Sequence, residues 1–151
     1  MRFEPGLSRQ SRTLSMISLA VLLLSSSLIA QTPAVVARDA WVRLPLKSQN
    51  DAALFMMIEN HSAQPRSVVS VSSPASASAE MHQMHMDKMV MVMLPVTQIA
   101  IPANGKTSLD PNGYHIMLFR LKMRPMVGDK IEINLKLDDG TTVPVEATVR
   151  K

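Results

Sequence analysis

From residue 35 to the C-terminus the chain runs in short β-rich segments broken by turn residues, the last of them alternating apolar and polar positions, and no run keeps a helical period for the length of a helix. The plainest case is Lys130 to Leu137, where Ile131, Ile133, Leu135 and Leu137 share one face and Glu132, Asn134 and Lys136 share the other. One face is core and one is solvent. The same reading predicts strands over Val35 to Leu44, Ala52 to Glu59, Arg66 to Ser72, Ala79 to Met86, Met89 to Leu94, Thr107 to Leu109, Tyr114 to Leu121, Lys130 to Leu137 and Thr142 to Arg150. Asn104-Gly105, Pro111-Asn112-Gly113 and Asp139-Gly140 supply residues tolerant of positive φ between these runs, and Gly128-Asp129 opens another turn. The segment from Ser72 to Ser78 holds only Ser, Ala and Pro and reads as an irregular surface connection. The expectation is an all-β sandwich or barrel of eight or nine strands in one domain, with no internal repeat.

The N-terminus differs in kind. Arg2, Arg9 and Arg12 precede an uncharged apolar run from Leu14 to Ala30, the pattern of a secretory signal. The run is short for a membrane span and is interrupted by Ser25, Ser26 and Ser27. Residues 1–30 therefore read as a signal peptide cleaved between Ala30 and Ala37, leaving residues 31–151 as the domain, with no stable membrane insertion afterwards. Removing residues 1–30 lowers the formal net charge from +4 to about +2. With one Trp, one Tyr and three Phe as well, a nucleic-acid partner is not expected. No Cys is present, which excludes disulfides, thiolate metal sites, cysteine nucleophiles and a cysteine-linked lipid. Glycine-rich phosphate loops and a nucleophile elbow are also missing, so the sequence points to binding and not to an enzyme.

Chemistry concentrates in the methionines and histidines. Most of the 13 Met and three of the four His fall between Met81 and Met126. In the stretch Met81 to Met93, period two puts His82, Met84 and Met86 on one face of a strand and Met81, Gln83 and His85 on the other. His115-Ile116-Met117 follows the turn at Pro111 to Gly113, and its single intervening residue puts imidazole and thioether on one face. A second pair drawn from His82 to Met93 would complete a site of two nitrogens and two sulfurs. That donor set suits Cu(I), a soft cation that accepts thioether, whereas magnesium and calcium require oxygen. Histidines bind neutral, so affinity should fall as pH drops toward their pKa.

Ten residues separate His82 from Met93, twenty-one separate Met93 from His115, and one separates His115 from Met117. This spacing resembles the signature of the periplasmic copper chaperones of the PCuAC type. Ala40-Trp41-Val42-Arg43, Phe55 to Asn60, Ile101-Pro102-Ala103, Pro111 to Leu118 and Gly128-Asp129 also resemble that family. The resemblance implies a cupredoxin-like Greek-key β-sandwich and an exposed Cu(I) site of His82, Met93, His115 and Met117. It also implies a periplasmic role in passing one ion by ligand exchange to an acceptor, such as a cytochrome c oxidase subunit or another copper chaperone. Met89 stands where such sequences usually place a glycine turn, and Phe119-Arg120 replaces a more glycine-like pair.

Methionine is also an ordinary gap-filler of cores, and packing is the expected role of Met56, Met57, Met123 and Met126. Met84, Met86 and Met91 are candidates for an auxiliary metal site, as is His85 if a bulge brings it round to the face of His82. His61 reads as a solvated loop residue, and Trp41 and Arg43 as packing and solvation of the first strand. The rivals are a copper buffer taking more than one ion, a copper redox protein and a structural sandwich. A monomer is expected.

Overall fold

The computed structural model describes residues 33–151, and the export signal read over residues 1–30 lies outside them. The described residues form ten strands: β1 Val35–Arg43, β2 Ala52–Asn60, β3 Arg66–Ser72, β4 Ser76–Asp87, β5 Val90–Pro95, β6 Ile99–Ile101, β7 Gly105–Leu109, β8 Tyr114–Leu121, β9 Lys130–Leu137 and β10 Thr142–Arg150. The bounds read from the sequence hold for β3, β8, β9 and β10. Two readings need correction. β6 is too short to show a period, yet Ile99 and Ile101 are fully buried. The stretch expected as an irregular connection ends early: β4 begins at Ser76, and Ser76 and Ser78 pair with Leu121 and Phe119 of β8. Small polar residues carry no strand signal of their own, and the partner strand imposes the conformation.

Hydrogen bonds join the strands in the order β5-β4-β8-β7-β2-β1-β10-β9-β3-β6, with β8 also pairing with β2. β1 runs parallel to β10, and β7 meets β8 in a parallel bridge; the other ladders are antiparallel. Leu54, Ile58, Ile116 and Leu118 from one half of this ribbon share a single buried cluster with Val68, Ile133, Leu135 and Val149 from the other. The ribbon is therefore folded over its own apolar face as a β-sandwich. In β9 the expected alternation is realised, with Ile131, Ile133, Leu135 and Leu137 inward. A bulge in β1, where Arg38 faces Met57 and Trp41 faces Phe55, adds local twist around Asp39 at φ 51°.

The turn between β4 and β5 holds its residues in an unfavourable conformation. The two strands form a hairpin closed by Lys88 and Met89 alone, since Asp87 pairs with Val90. Both turn residues are left-handed, at φ 44° and 68°. That is the geometry for which Asn-Gly is favoured, because it matches the twist of the strands. Met89 thus occupies a glycine conformation without being glycine. Arg120 does the same at φ 51°, with its N–H donating to Asp51 Oδ1 at 2.8 Å. A side chain in this region costs roughly 1–2 kcal/mol, and glycine gives back part of that in unfolded-state entropy. Met89→Gly should therefore stabilise the domain by about 0.5–1 kcal/mol, read as a higher urea midpoint at unchanged m-value. A midpoint that stays or falls would mean the turn does not hold this conformation.

Candidate metal centre

β4 lies between β8 and β5, and its two registers decide which side chains meet. Directly opposed residues of a ladder project to the same face. Met81, paired with Ile116, is 6% exposed and faces the core. The other face carries the chemistry. There His82 is opposite His115, Glu80 is opposite Met117, and Met84 is opposite Met93. All four residues of the expected ligand set thus lie on one face of three adjacent strands.

The two imidazoles form the centre of this face. Their ring centroids are 5.9 Å apart at 45°, and both rings are buried although they lie on the side of the sheet away from the core. A row of aromatic side chains covers them. Phe55 lies 6.2 Å from His115, Phe119 lies 6.0 Å from His82, and Trp41 stacks at 4.7 Å against Phe55. The Arg43 guanidinium sits over Phe55 and Trp41 at 5.3 and 5.8 Å. Trp41 and Arg43, read as surface packing of β1, therefore form one flank of the site.

The hydrogen bonds assign the tautomers. His82 Nε2 is 3.1 Å from Glu80 Oε2, and His115 Nδ1 is 3.3 Å from the Gly113 carbonyl. A carboxylate and a carbonyl can only accept, so in each ring that nitrogen carries the proton and donates. The free lone pairs are then on His82 Nδ1 and His115 Nε2. His82 Nδ1 is buried with no hydrogen-bond partner, an arrangement that ordinarily costs ~1–3 kcal/mol. A metal ion is the partner it fits: a ligating histidine characteristically gives its other N–H to a carboxylate or backbone carbonyl. With a metal–nitrogen bond of about 2.0 Å, two rings on one ion can have centroids up to ~6.4 Å apart, so the observed pair is within reach. Among the described residues no group of three His, Asp or Glu side chains is gathered as a metal site. The soft donors on this face are the sulfurs of Met84, Met86, Met91, Met93 and Met117.

The methionines flank the imidazole rung at opposite corners. Met117 is half-buried, diagonal to His82 across β8, and Met93 is 45% exposed, diagonal to His82 across β5. On a flat sheet the two backbone positions, four residues and two strands apart, would be ~16 Å from each other. Two thioethers sharing one ion span about 13–14 Å between backbones. A single ion touching both therefore draws β5 toward β8, while His82, His115 and one methionine need no such bend.

Other candidates separate cleanly. The β4–β5 register runs without a bulge from His82 to Asp87, so His85, opposite Val92, is on the far face and is not brought to His82. Met84, Met86 and Met91 are on the His82 face. Met56 packs in the core as expected, but Met123 and Met126 do not: they are 83% and 71% exposed, in the loop between β8 and β9, where no opposing layer covers them. His61 is exposed, 3.3 Å from Glu59. Sequence reasoning missed Glu80 as the partner of His82, although period two places it on the same face and a carboxylate behind a ligating histidine is the usual arrangement.

Burial holds the His115 pKa below its ordinary 6.5; the Gly113 carbonyl opposes this and the neighbouring His82 adds to it. The unfolded chain therefore binds a proton that the folded chain resists, and this contribution to stability is complete above pH 6.5 and is lost as pH falls below it. The apo protein should show a urea midpoint that declines from pH 6.5 toward about 5, before carboxylates titrate, with a limiting slope of ~1.4 kcal/mol per pH unit for one proton. His115→Phe should flatten that decline; an unchanged decline would place its source elsewhere.

Residues 35–149 match the family described as "Putative lipoprotein LpqE-like". A protein of Leifsonia xyli subsp. xyli named "Putative lipoprotein Lxx21020" is 32% identical over 127 residues, covering 80% of this chain and 75% of that one. Among solved structures, CuI-DR1885 from Deinococcus radiodurans is 35% identical, covers 81% of this chain and 82% of its own, and superposes with a TM-score of 0.62. The apo PCuAC domain from PmoF1 and the copper-bound PCuAC domain from PmoF2 superpose at 0.67 and 0.66. Their identities of 21% and 22%, over 78% of this chain and 94% and 93% of theirs, speak to the fold. With the match running from the first strand to the last, the chain belongs to the LpqE-like family, and its domain has the fold of the PCuAC domains.

Proposed function

We propose that this protein is an exported copper chaperone that holds one Cu(I) with His82, Met93, His115 and Met117 and passes it to an acceptor by ligand exchange. The observation that carries this reading is the buried His82–His115 rung, in which Glu80 and Gly113 tie back one nitrogen of each ring and the other is left with a free lone pair. The thioethers on the same face supply a donor soft enough to select Cu(I) over harder ions. Relatives bearing copper in their names, and the lipoprotein names of the family, support the cargo and the export.

Holding and release fall to different side chains. Both histidines are fixed by hydrogen bonds and aromatic packing, so they reach the metal with little reorganisation. Met93, exposed on an edge strand, can leave while an acceptor's ligand enters, and the ion never passes through water. No redox step is involved. Assembly of cytochrome c oxidase is the delivery route we propose. A cleavage after Ala30 is preferred to one after Ala37, because the latter would remove Val35, which is 3% exposed and pairs with Asn60.

The test is an anaerobic Cu(I) titration of the mature protein against a chromophoric chelator, beside a His115→Ala, Met117→Ala double variant whose fold is checked by circular dichroism. One tight equivalent in the wild type, weakened at least a hundredfold in the variant, is expected. Equal binding in both would sink the ligand assignment.

A further inference from the structure

The β4–β5 hairpin sorts its sulfur in a way that neither packing nor the four-ligand site explains. Met84 is opposite Met93 and Met86 is opposite Met91, so four thioethers stand on one face of two adjacent rungs. On the same rungs the other face carries Gln83, His85 and Asp87 against Leu94, Val92 and Val90, and Met81, the one methionine on that face of β4, is turned into the core. The four thioethers are not core. Met86, Met91 and Met93 are 58%, 42% and 45% exposed, and Met84 is half-buried. Exposed apolar side chains this dense on an edge strand are a liability unless they have a use.

We infer that Met84, Met86, Met91 and Met93 form a second, all-thioether site for a soft monovalent cation, next to the imidazole rung and sharing Met93 with it. The register supports the geometry. Opposed Cβ atoms in a ladder are about 4.5–5.5 Å apart and successive same-face rungs ~6.6 Å, so each Cβ lies about 4 Å from the centre of the square. A methionine reaches on the order of 3 Å beyond Cβ through flexible torsions, and a soft metal–sulfur bond is about 2.3 Å. Four sulfurs can therefore converge above the hairpin without moving its backbone. Neutral thioethers without carboxylate or imidazole would hold Cu(I) more weakly than the mixed site, and would exclude zinc and Cu(II). Because Met93 belongs to both sets, an ion can shift between them by exchanging the other ligands around that one sulfur. The hairpin is then the exposed station through which cargo enters or leaves. This extends the chaperone reading and rests on it for the identity of the cargo, but not for the existence of the site.

The experiment titrates the full mature domain anaerobically with Cu(I), and in parallel with Ag(I) as a redox-inert probe, following the methionine ε-methyl resonances by NMR. Wild type should take a second equivalent at least tenfold weaker than the first, moving the methyl signals of Met84, Met86 and Met91. The Met86→Leu, Met91→Leu variant, with exposed isosteric replacements, should lose that equivalent and keep the first within about twofold. His115→Ala, Met117→Ala should do the opposite, losing the tight equivalent and retaining the hairpin shifts. A wild type that stops at one equivalent, or a second equivalent that survives Met86→Leu, Met91→Leu, overturns the inference. A tight equivalent that survives His115→Ala, Met117→Ala would strike the four-ligand reading and leave this one standing.

Discussion

The pairing of β4 with β8 that sets His82 opposite His115 is the constraint on which the site depends, and the core enforces it from behind. Met81, Ile116 and Leu118 project from the same two strands to the opposite face, at 6%, 0% and 0% exposure. A slip of β4 by one residue against β8 would turn Met81 outward and send Glu80 and His82 inward beside Ile116 and Leu118. Burying a few hundred Å² of apolar surface at about 25 cal/mol per Å² makes that slip costly, before the penalty for an interior carboxylate is counted. The residues that fix the proposed metal-binding face are thus ones no metal would touch.

Burial divides the proposed ligand set into two kinds. The nitrogens are held in place: His82 by Glu80, His115 by the Gly113 carbonyl, both under Phe55 and Phe119. The sulfurs are progressively freer, Met117 half-buried and Met93 nearly half exposed. A fully enclosed set would bind more tightly and exchange more slowly, since an acceptor's ligand needs a path to the ion. A fully exposed set would spend binding energy on ordering its side chains. The unpartnered Nδ1 of His82 leaves the apo fold unsatisfied at the point where the proposed cation would bind.

Much of this was legible in the sequence, and the remainder has a common cause. Alternation found β8, β9 and β10 to the residue, because each buries a face that repeats every second position; the bounds of β3 hold as well, although a register shift sets its buried Val68 and Val71 three apart. Alternation missed β6, with only three residues, and the start of β4, where Ser76 to Ser78 carry no apolar signal and follow β8. Within the site, period two correctly put His82 with Met84 and His115 with Met117. The opposition of His82 to His115 and of Met84 to Met93 could not be read that way, because it depends on pairing between distant segments. The same gap explains Met123 and Met126, whose apolar character suggested packing while their loop offers no layer to pack against. Glu80 needed only the period and the habit of histidine ligands to be oriented by carboxylates.

The β4–β5 hairpin brings the local and global requirements into conflict. Its turn holds Lys88 and Met89 in a left-handed conformation that neither favours, and its edge strand exposes Val90, Met91, Met93 and Leu94. A hairpin optimised for stability would have Asn-Gly at the turn and charges along the edge. Charges at Met91 and Met93 would remove the only donors on β5 that face the imidazole rung, however, and β-branched residues there could offer no ligand at all. Methionine answers both demands: it is apolar enough to remain on a strand, unbranched enough to bend toward an ion, and needs no deprotonation to bind one. An edge strand, hydrogen-bonded on one side only, can also move toward β8 at lower cost than any interior strand. The mobility that Met93 and Met117 would need to share an ion is available at the one place in this sheet where the topology leaves a row of sulfur donors beside an open edge.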